Sequence, residues 1–188
     1  LYWGWAEHLR EVGPLGTNPF FLGPLYPYVL AGLHASGVES VDGVLIIQAL
    51  WGAAAAALLA DATRRLTRPG IGLLIGLVAA GYLSAVFFDG LILTESLQFF
   101  LECLLLWWVI RHDWSTADGR AWAITGGLIG LCAESRASSA LLLVPAAVLL
   151  RPGAWRSRGT VLSVGSMLAG FLIVAAPAAI RNHAVSRE

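Results

Sequence analysis

Long apolar stretches, separated by short polar segments, make up most of the sequence. A membrane-spanning helix needs roughly 20 mostly apolar residues, and four stretches approach that length by themselves. A fifth stretch, 121–150, is interrupted by AESRAS at 133–138 and predicts two shorter helices. The four separate spans are predicted at 41–61, 70–88, 91–110 and 159–180. The pattern therefore predicts an all-α, polytopic transmembrane helical bundle of about six spans.

The first 38 residues have a different pattern, which predicts two helices that lie on the membrane surface. Residues 1–12 place apolar side chains at helical spacing, with charged side chains on the other face, as in interfacial helices. In 24–36, Pro24 and Pro27 mark a helix start, and Gly37 is expected to end that helix in the C′ position. We therefore divide the chain into an outer-face loop, 1–38, and a transmembrane bundle, 39–188.

Arginines in the loops predict the orientation of the bundle. Eight fall in alternate loops, on one side of the predicted membrane: Arg64, Arg65, Arg68, Arg111, Arg120, Arg151, Arg156 and Arg158. The other side holds Arg10, Arg136, Arg181 and Arg187. The positive-inside rule makes the first side cytoplasmic, so residues 1–38 face outward. A single helix over 121–150 would move Arg181 to the cytoplasmic side, but the even spacing of the arginine clusters disfavours it.

Composition supports a membrane location and excludes a nucleic-acid partner. Charged residues make up 13% of the chain, about half the usual share of soluble domains, and the mean hydropathy is +0.73. The net charge is zero, so no basic surface is predicted. All twelve basic residues are arginines, a bias that a GC-rich genome explains most simply. The chain begins at Leu1 without a signal-peptide pattern, and we expect it to be an internal part of a longer protein.

Charged residues near the predicted outer ends of the spans are the candidates for chemistry. Arg136 and Arg181 are predicted to hold a phosphate or pyrophosphate through paired N–H bonds. Asp89 and Glu95 are candidates for a base or for acceptor binding, with a structural ion pair to Arg136 as the alternative. Glu102, about two helical turns below Glu95, is expected to be a packed or paired carboxyl group.

The histidines and cysteines predict no metal site. His8 and His34 are expected to be interfacial polar residues, and no pair of histidines has metal-ligand spacing. Cys103 and Cys132 both lie in apolar runs and are expected to be buried as small hydrophobic residues. No firm cofactor is predicted, and a divalent metal is left as an open alternative without supporting residues.

The order of five segments resembles a known family of membrane enzymes. The segments are YWGWAEHLR, GPLYPYVLAGLHASG, LTESLQFF, ESRASSALLLVPAA and APAAIRN. In this order they resemble the GT-C superfamily of membrane glycosyltransferases. Within it, they are most similar to the bacterial dolichyl-phosphate-mannose-protein mannosyltransferase-like group, relatives of the lipid A aminoarabinose transferases.

This resemblance implies transfer of a sugar from a polyprenyl-phosphate carrier to a lipid, glycan or protein acceptor. The reaction would take place on the periplasmic face of a bacterial inner membrane. The family's acidic residue is expected a few positions before Tyr2, so the catalytic residue is unknown here, and the chain as it stands is expected to be inactive. Tyr26 and Tyr28, in the PLYPY block, are implied to contact substrate. Leu22 and Gly23 stand where the family often has a lysine, which shifts the phosphate role to the two outer arginines.

Two other classes of protein fit the same helices. A transporter or flippase-like protein, including an O-antigen-polymerase-like relative, would also have several spans with interior charges. Transporters place substrate groups near the membrane midplane, whereas the charges here are predicted at the outer rim. A non-catalytic scaffold would lack acidic residues before Tyr2.

Overall fold

The computed structural model of the protein is helical and describes residues 1–13, 16, 19–114, 117–149 and 158–185. The helices are α1 Tyr2–Val12, α2 Leu25–Ala35, α3 Val41–Leu66, α4 Pro69–Ala80, α5 Leu83–Asp89, α6 Glu95–Arg111, α7 Gly119–Ser135, α8 Leu143–Leu149 and α9 Arg158–Val185. A 3₁₀ helix, Ala137–Leu142, joins α7 to α8. Arg151, Arg156 and Arg187 lie outside the described residues.

Among the described residues, two helices are long and apolar enough to cross a membrane. These are α3 and α9, the latter counted over Val161–Val185. The predicted span at 70–88 is two helices, α4 and α5, bent by 50° at a short break, and the pair could form a third span. The backbone turns at Gly81 and Tyr82, which interrupt the apolar run with no charged residue, so the hydropathy pattern does not indicate the bend. The count of six spans remains a prediction.

The break predicted within 121–150 is present. α7 ends at Ser135, and the 3₁₀ helix begins two residues later. Three pairs of side chains then join α6 to this returning segment: Thr94 with Ser135, Glu95 with Arg136, and Gln98 with Ser139. Every pair is 41 residues apart. A constant offset means that the returning chain runs parallel to α6, as two helices with a tight turn between them require.

Glycines let the helices of the bundle approach closely. A Cβ at Gly126 would lie 1.8 Å from the Met167 carbonyl oxygen, and a Cβ at Gly170 would lie 2.0 Å from that of Ala123. α9 therefore packs directly on the backbone of α7. Gly72 and Gly76 play the same part between α4 and α3. Small residues four apart are typical of helix pairs in membranes.

The first two helices form a cap on one end of the bundle. Leu30 and Tyr26 of α2 are buried in a core cluster with Val44 of α3, Leu97 of α6 and Cys132 of α7. α2 ends as predicted, at Gly37, whose φ is 96°. The Val38 N–H bonds to the Leu33 carbonyl at 3.0 Å, as in a Schellman motif. We call α1 and α2 the cap, and the side of the bundle that they cover the cap end.

Candidate active site

Tyr26 connects the cap to the bundle through a buried hydrogen bond. Its side chain is completely buried, and its hydroxyl donates a hydrogen bond to Gln48 Oε1 of α3. Gln48 Nε2 in turn donates to the carbonyls of Asp89 and Leu91, at 2.9 and 2.8 Å. Burial raises the pKa of the Tyr26 phenol above its ordinary value, and the nearby Tyr2 phenol and Glu95 carboxylate add to this. The phenol therefore stays protonated, and its described contacts join the cap to α3.

Arg136 forms the ion pair that the sequence offered as an alternative role. Its Nη2 lies 3.2 Å from Oε1 of Glu95. The side chains are 55% and 31% exposed, so the pair lies at the surface of the bundle. Tyr2 of α1 lies close enough for both charges to act on its phenol. The structure thus brings Glu95 and Arg136 together beneath the cap.

Arg181 lies in a separate and more buried place. It is only 8% exposed, and its guanidinium carbon lies 3.9 Å from the centre of the Phe20 ring. Its Nη1 donates to Asn182 Oδ1 at 3.0 Å. The Asn182 amide also bonds both ways with the Phe20 backbone, at 2.9 and 3.1 Å. The guanidinium is therefore held by its neighbours in one orientation.

Arg181 and Asn182 lie on one continuous helix, because α9 extends through Pro177 to Val185. The sequence placed them after the last span, which was expected to end near residue 180. A proline inside a membrane helix is tolerated where neighbouring helices pack against it. Because α9 packs on α7, the helix carries Arg181 to the cap.

A cavity of about 400 Å³, which we call the cap cavity, lies between α2, α7 and α9. Tyr28, Glu134 and Arg181 line it together with Phe20, Pro24, Leu25, Leu131, Val174, Pro177 and Ala178. Burial raises the pKa of Tyr28, the nearby Arg181 acts in the opposite direction, and Glu134 adds to the rise. The phenol is therefore a hydrogen-bond donor at neutral pH. The cavity thus combines one cation, one carboxyl group and one phenol with a mostly apolar wall.

Gly23, directly before the PLYPY block, has no room for a side chain. A Cβ at this position would lie 2.3 Å from the Ser135 carbonyl oxygen and 2.4 Å from that of Glu134. The loop therefore touches the last turn of α7, directly beside Pro24 and Glu134, which line the cap cavity. No side chain of any kind fits there without displacing backbone.

Asp89 lies apart from Arg136 and Arg181. Its carboxylate lies against Gly52 of α3, where a Cβ would approach its Oδ2 to 2.2 Å. Asp89 lines an apolar groove of about 550 Å³ between α3, α4 and α5. It also lines a smaller cavity that it shares with Glu95. The six candidate residues thus fall into four places: Tyr26 in the core, Tyr28 with Arg181, Arg136 with Glu95, and Asp89.

The remaining polar residues have structural partners. Glu102 accepts hydrogen bonds from Gln98 at 2.5 Å and from Ser139 at 3.4 Å, which confirms the paired carboxyl group. Cys103 and Cys132 are both buried, as predicted. In the part of the chain that the structure describes, no group of three or more His, Cys, Asp and Glu side chains could hold a metal ion.

The two histidines have different environments. His34 is buried, at 3% exposure, rather than interfacial, because α1 covers it and its ring packs 4.4 Å from that of Trp3. His8 lines a cavity of about 260 Å³ with Trp5 and Arg181.

Sequence reasoning missed the part that Glu134 plays at the site. The sequence pattern assigns Glu134 only to the polar break at 133–138, yet it shares a cavity with Arg181, 47 residues further along the chain. Only the packing of α7 on α9 brings the two together. Phe20 and Asn182 carried no sequence signal for their roles beside Arg181.

The comparisons with known proteins identify the family of the chain. A family model described as dolichyl-phosphate-mannose-protein mannosyltransferase matches residues 19–180, from the loop before α2 to the residue before Arg181. Neither the comparison with curated proteins nor the comparison with solved structures returns a significant match. The match covers most of the chain and favours a glycosyltransferase over the transporter and polymerase alternatives. The chain therefore belongs to the dolichyl-phosphate-mannose-protein mannosyltransferase family, integral membrane glycosyltransferases of the GT-C type.

Proposed function

We propose that this protein moves a sugar from a polyprenyl-phosphate carrier to a lipid, glycan or protein acceptor on the outer face of the membrane. In a bacterium this would be the periplasmic face of the inner membrane. The observation that carries the proposal is the cap cavity, where Arg181, Tyr28 and Glu134 meet a mostly apolar wall. Its volume, about 400 Å³, is in the range of small-ligand sites.

Arg181 is the proposed contact for the carrier phosphate. A guanidinium can bind phosphate oxygens through two parallel N–H bonds and keeps its charge when buried. Phe20 and Asn182 already hold this guanidinium in place, so little order is lost when the ligand binds. Negative charge grows on the phosphate as the sugar leaves. A cation fixed beside the leaving group therefore stabilises the transition state more than the ground state.

The walls of the same cavity suit the rest of the donor. Leu131 and Val174 offer apolar surface to the first isoprene units of the carrier. Glu134 and Tyr28 lie beside Arg181 and are proposed to bind hydroxyl groups of the sugar. The base that must take the proton of the acceptor hydroxyl is expected before Tyr2, as the resemblance implies.

The orientation of the bundle supports chemistry at the outer face. Arg64, Arg65 and Arg111 lie together at the end opposite the cap, through their contacts with Asp61 and Trp107. By the positive-inside rule this arginine-rich end is cytoplasmic. The cap cavity is then on the outer side, where its lipid-linked donor would be presented.

A comparison of arginine variants in the full-length protein tests the proposal. Sugar transfer from a polyprenyl-phosphate donor would be measured in membranes, and binding of a short-chain polyprenyl phosphate to the purified protein. Arg181→Ala is expected to lower kcat/KM by roughly 100-fold, because a charge that stabilises the leaving phosphate is lost. Arg181→Lys should recover part of the loss, since it restores the charge but not the paired donors.

Arg10→Ala is the matched control. Arg10 lies in α1, is 45% exposed and contacts only the exposed Glu39 in the described ion pairs, at 3.8 Å. Its loss is expected to change transfer less than twofold. Transfer by Arg181→Ala within twofold of wild type, at normal expression, would refute the phosphate role.

A further inference from the structure

The cavity that Asp89 shares with Glu95, which we call the α5–α6 cavity, has a volume of about 240 Å³. It lies where α5 ends and α6 begins, just beyond the bend between α4 and α5. Asp89, Glu95 and Ser96 are its acidic and buried hydroxyl groups. None of its lining residues belongs to the cap cavity, so the two are separate spaces.

Each of these three groups has at least one polar atom without a hydrogen-bond partner among the described residues. Ser96 is 2% exposed, and its Oγ is buried without a partner among the described residues. Glu95 pairs with Arg136 through Oε1, while its buried Oε2 accepts no described bond. The carboxylate of Asp89 forms no hydrogen bond or ion pair in the part of the chain that the structure describes. Unpaired polar groups at depth are costly, and a ligand that satisfies them offsets the cost.

The rest of the lining indicates a sugar ring. Tyr82, Phe88 and Phe99 give the cavity aromatic walls. The C–H face of a pyranose packs on an aromatic ring, while its hydroxyl groups donate to carboxylates at its edge. A cavity of this volume accommodates one ring.

The charge balance favours a neutral ligand over a cation. Arg136 offsets the charge of Glu95, at 3.2 Å. The positive end of the α6 dipole also lies at this cavity, because α6 begins at Glu95. Asp89 is then the one carboxylate of this lining without a described counter-charge. A hydroxyl-rich ring satisfies such a site without adding charge.

A long apolar groove continues from the cavity. The groove of about 550 Å³ shares Ala85, Asp89 and Phe99 with it. The rest of its wall is mostly apolar and comes from α3 and α4, including Leu45, Ile46 and Ala53. A hydrocarbon chain fits this wall, with its polar head at Asp89.

We propose that the α5–α6 cavity and this groove bind an amphiphilic, glycolipid-like acceptor. One sugar ring occupies the cavity, where its hydroxyls donate to Asp89 and Glu95 and exchange a hydrogen bond with Ser96. The lipid chain lies in the groove. The assignment of this ligand as the acceptor rests on the proposed function, which gives the cap cavity to the donor. The prediction that an alkyl glycoside binds here does not depend on the proposed function.

Photolabelling of the full-length protein in nanodiscs tests this site. The probe is an alkyl glucoside with a diazirine in its chain, and the labelled peptides are identified by mass spectrometry. Label is expected in α3, α4 and α5, and octyl glucoside should compete with it. Ser96→Ala is expected to weaken labelling about fivefold and Asp89→Asn about tenfold, as for a neutral and a charge-assisted hydrogen bond.

Glu39→Gln is the matched control, because Glu39 is an exposed carboxylate that lines neither the α5–α6 cavity nor the groove. It should label like wild type, and an equal loss would overturn the proposal in favour of a general effect of charge. Competition by octanol equal to that by octyl glucoside would overturn the sugar site, and stronger competition by octylamine would replace it with a cation site. Ser96→Ala that folds and labels like wild type would also contradict the proposal. Arg181→Ala should leave labelling unchanged, so failure of the donor site is distinguishable from failure of this one.

Discussion

The two ends of the helical bundle both concentrate charged side chains, but they satisfy them differently. At the end opposite the cap, which we call the arginine end, Asp61 accepts hydrogen bonds from Arg64, from Arg65 at 2.8 Å and from the Trp107 indole at 2.7 Å. The Arg111 guanidinium lies 4.9 Å from the centre of the Trp107 ring. One carboxylate thus gathers the C-terminal turns of α3 and α6.

At the cap end, pairing is incomplete. Glu95 and Arg136 form an ion pair, yet Asp89 and the Ser96 hydroxyl have no described partner. Glu134 and Arg181 line a cavity rather than a packed interface. Under the proposed function, the charges at the arginine end hold helices together, whereas the groups at the cap end bind ligands. We expect substitutions at the arginine end to change stability, and substitutions at the cap end to change binding.

Gly23 offers the largest expected effect, because it holds the cap against α7. Gly23→Ala would place a Cβ 2.3 Å from a backbone oxygen that cannot rotate away. We expect a loss of about 1–3 kcal/mol in stability, as for an overpacked core, and strongly reduced sugar transfer because the cap cavity is disturbed. Thermal unfolding and transfer by the full-length protein measure both effects.

Gly32→Ala is the control for this prediction. Gly32 lies inside α2 and has nothing within 4 Å of the position that a Cβ would take. This change is expected to be neutral or to stabilise the cap by about 0.5–1 kcal/mol, since alanine suits a helix interior better than glycine. Equal behaviour of the two variants would show that the loop does not rest on α7.

Asp61→Asn should break the arginine end without affecting the cap end. The amide keeps the size of the side chain but loses the charge that draws in Arg64 and Arg65. We expect a Tm lower by a few degrees, because ion pairs with arginines that are 58% and 39% exposed contribute modestly to stability. The KM for the donor should not change. A changed donor KM at an unchanged Tm would remove the distinction between the two ends.

Much of the fold could be predicted from the sequence, because local patterns determine it. The apolar runs predict α3, α6 and α9, and the polar break at 133–138 separates α7 from the 3₁₀ helix. Gly37 ends α2 through its backbone freedom, which only glycine readily offers. The bend between α4 and α5 was missed because hydropathy is continuous through it. The spacing of Gly126 and Gly130, typical of close helix contacts, could have predicted the packing of α7 on α9.

The candidate site was less predictable, because tertiary packing decides it. The alternative ion pair of Glu95 with Arg136 was foreseen and is present. The sequence grouped Asp89 with Glu95; the two line one cavity, but only Glu95 has an ion-pair partner among the described residues. The meeting of Glu134 with Arg181 depends on the register of α7 against α9, which composition does not encode. Nor does the pattern show that Tyr26 faces Gln48 while Tyr28, half a turn away, faces the cap cavity.

The smallest expected effect concerns the Glu95–Arg136 ion pair, which lies at the cap end but resembles the paired charges of the arginine end. Its side chains are partly exposed, so each of Glu95→Gln and Arg136→Ala is expected to cost no more than about 1 kcal/mol of stability. If the pair is structural only, the double variant should lose no more transfer activity than either single variant. If Arg136 also contacts the carrier phosphate, Arg136→Ala alone should raise the donor KM, because Glu95→Gln leaves the cation in place. A donor KM that stays constant in Arg136→Ala but rises in Arg181→Ala would leave Arg181 as the phosphate contact and place Arg136 with the structural charges of the arginine end.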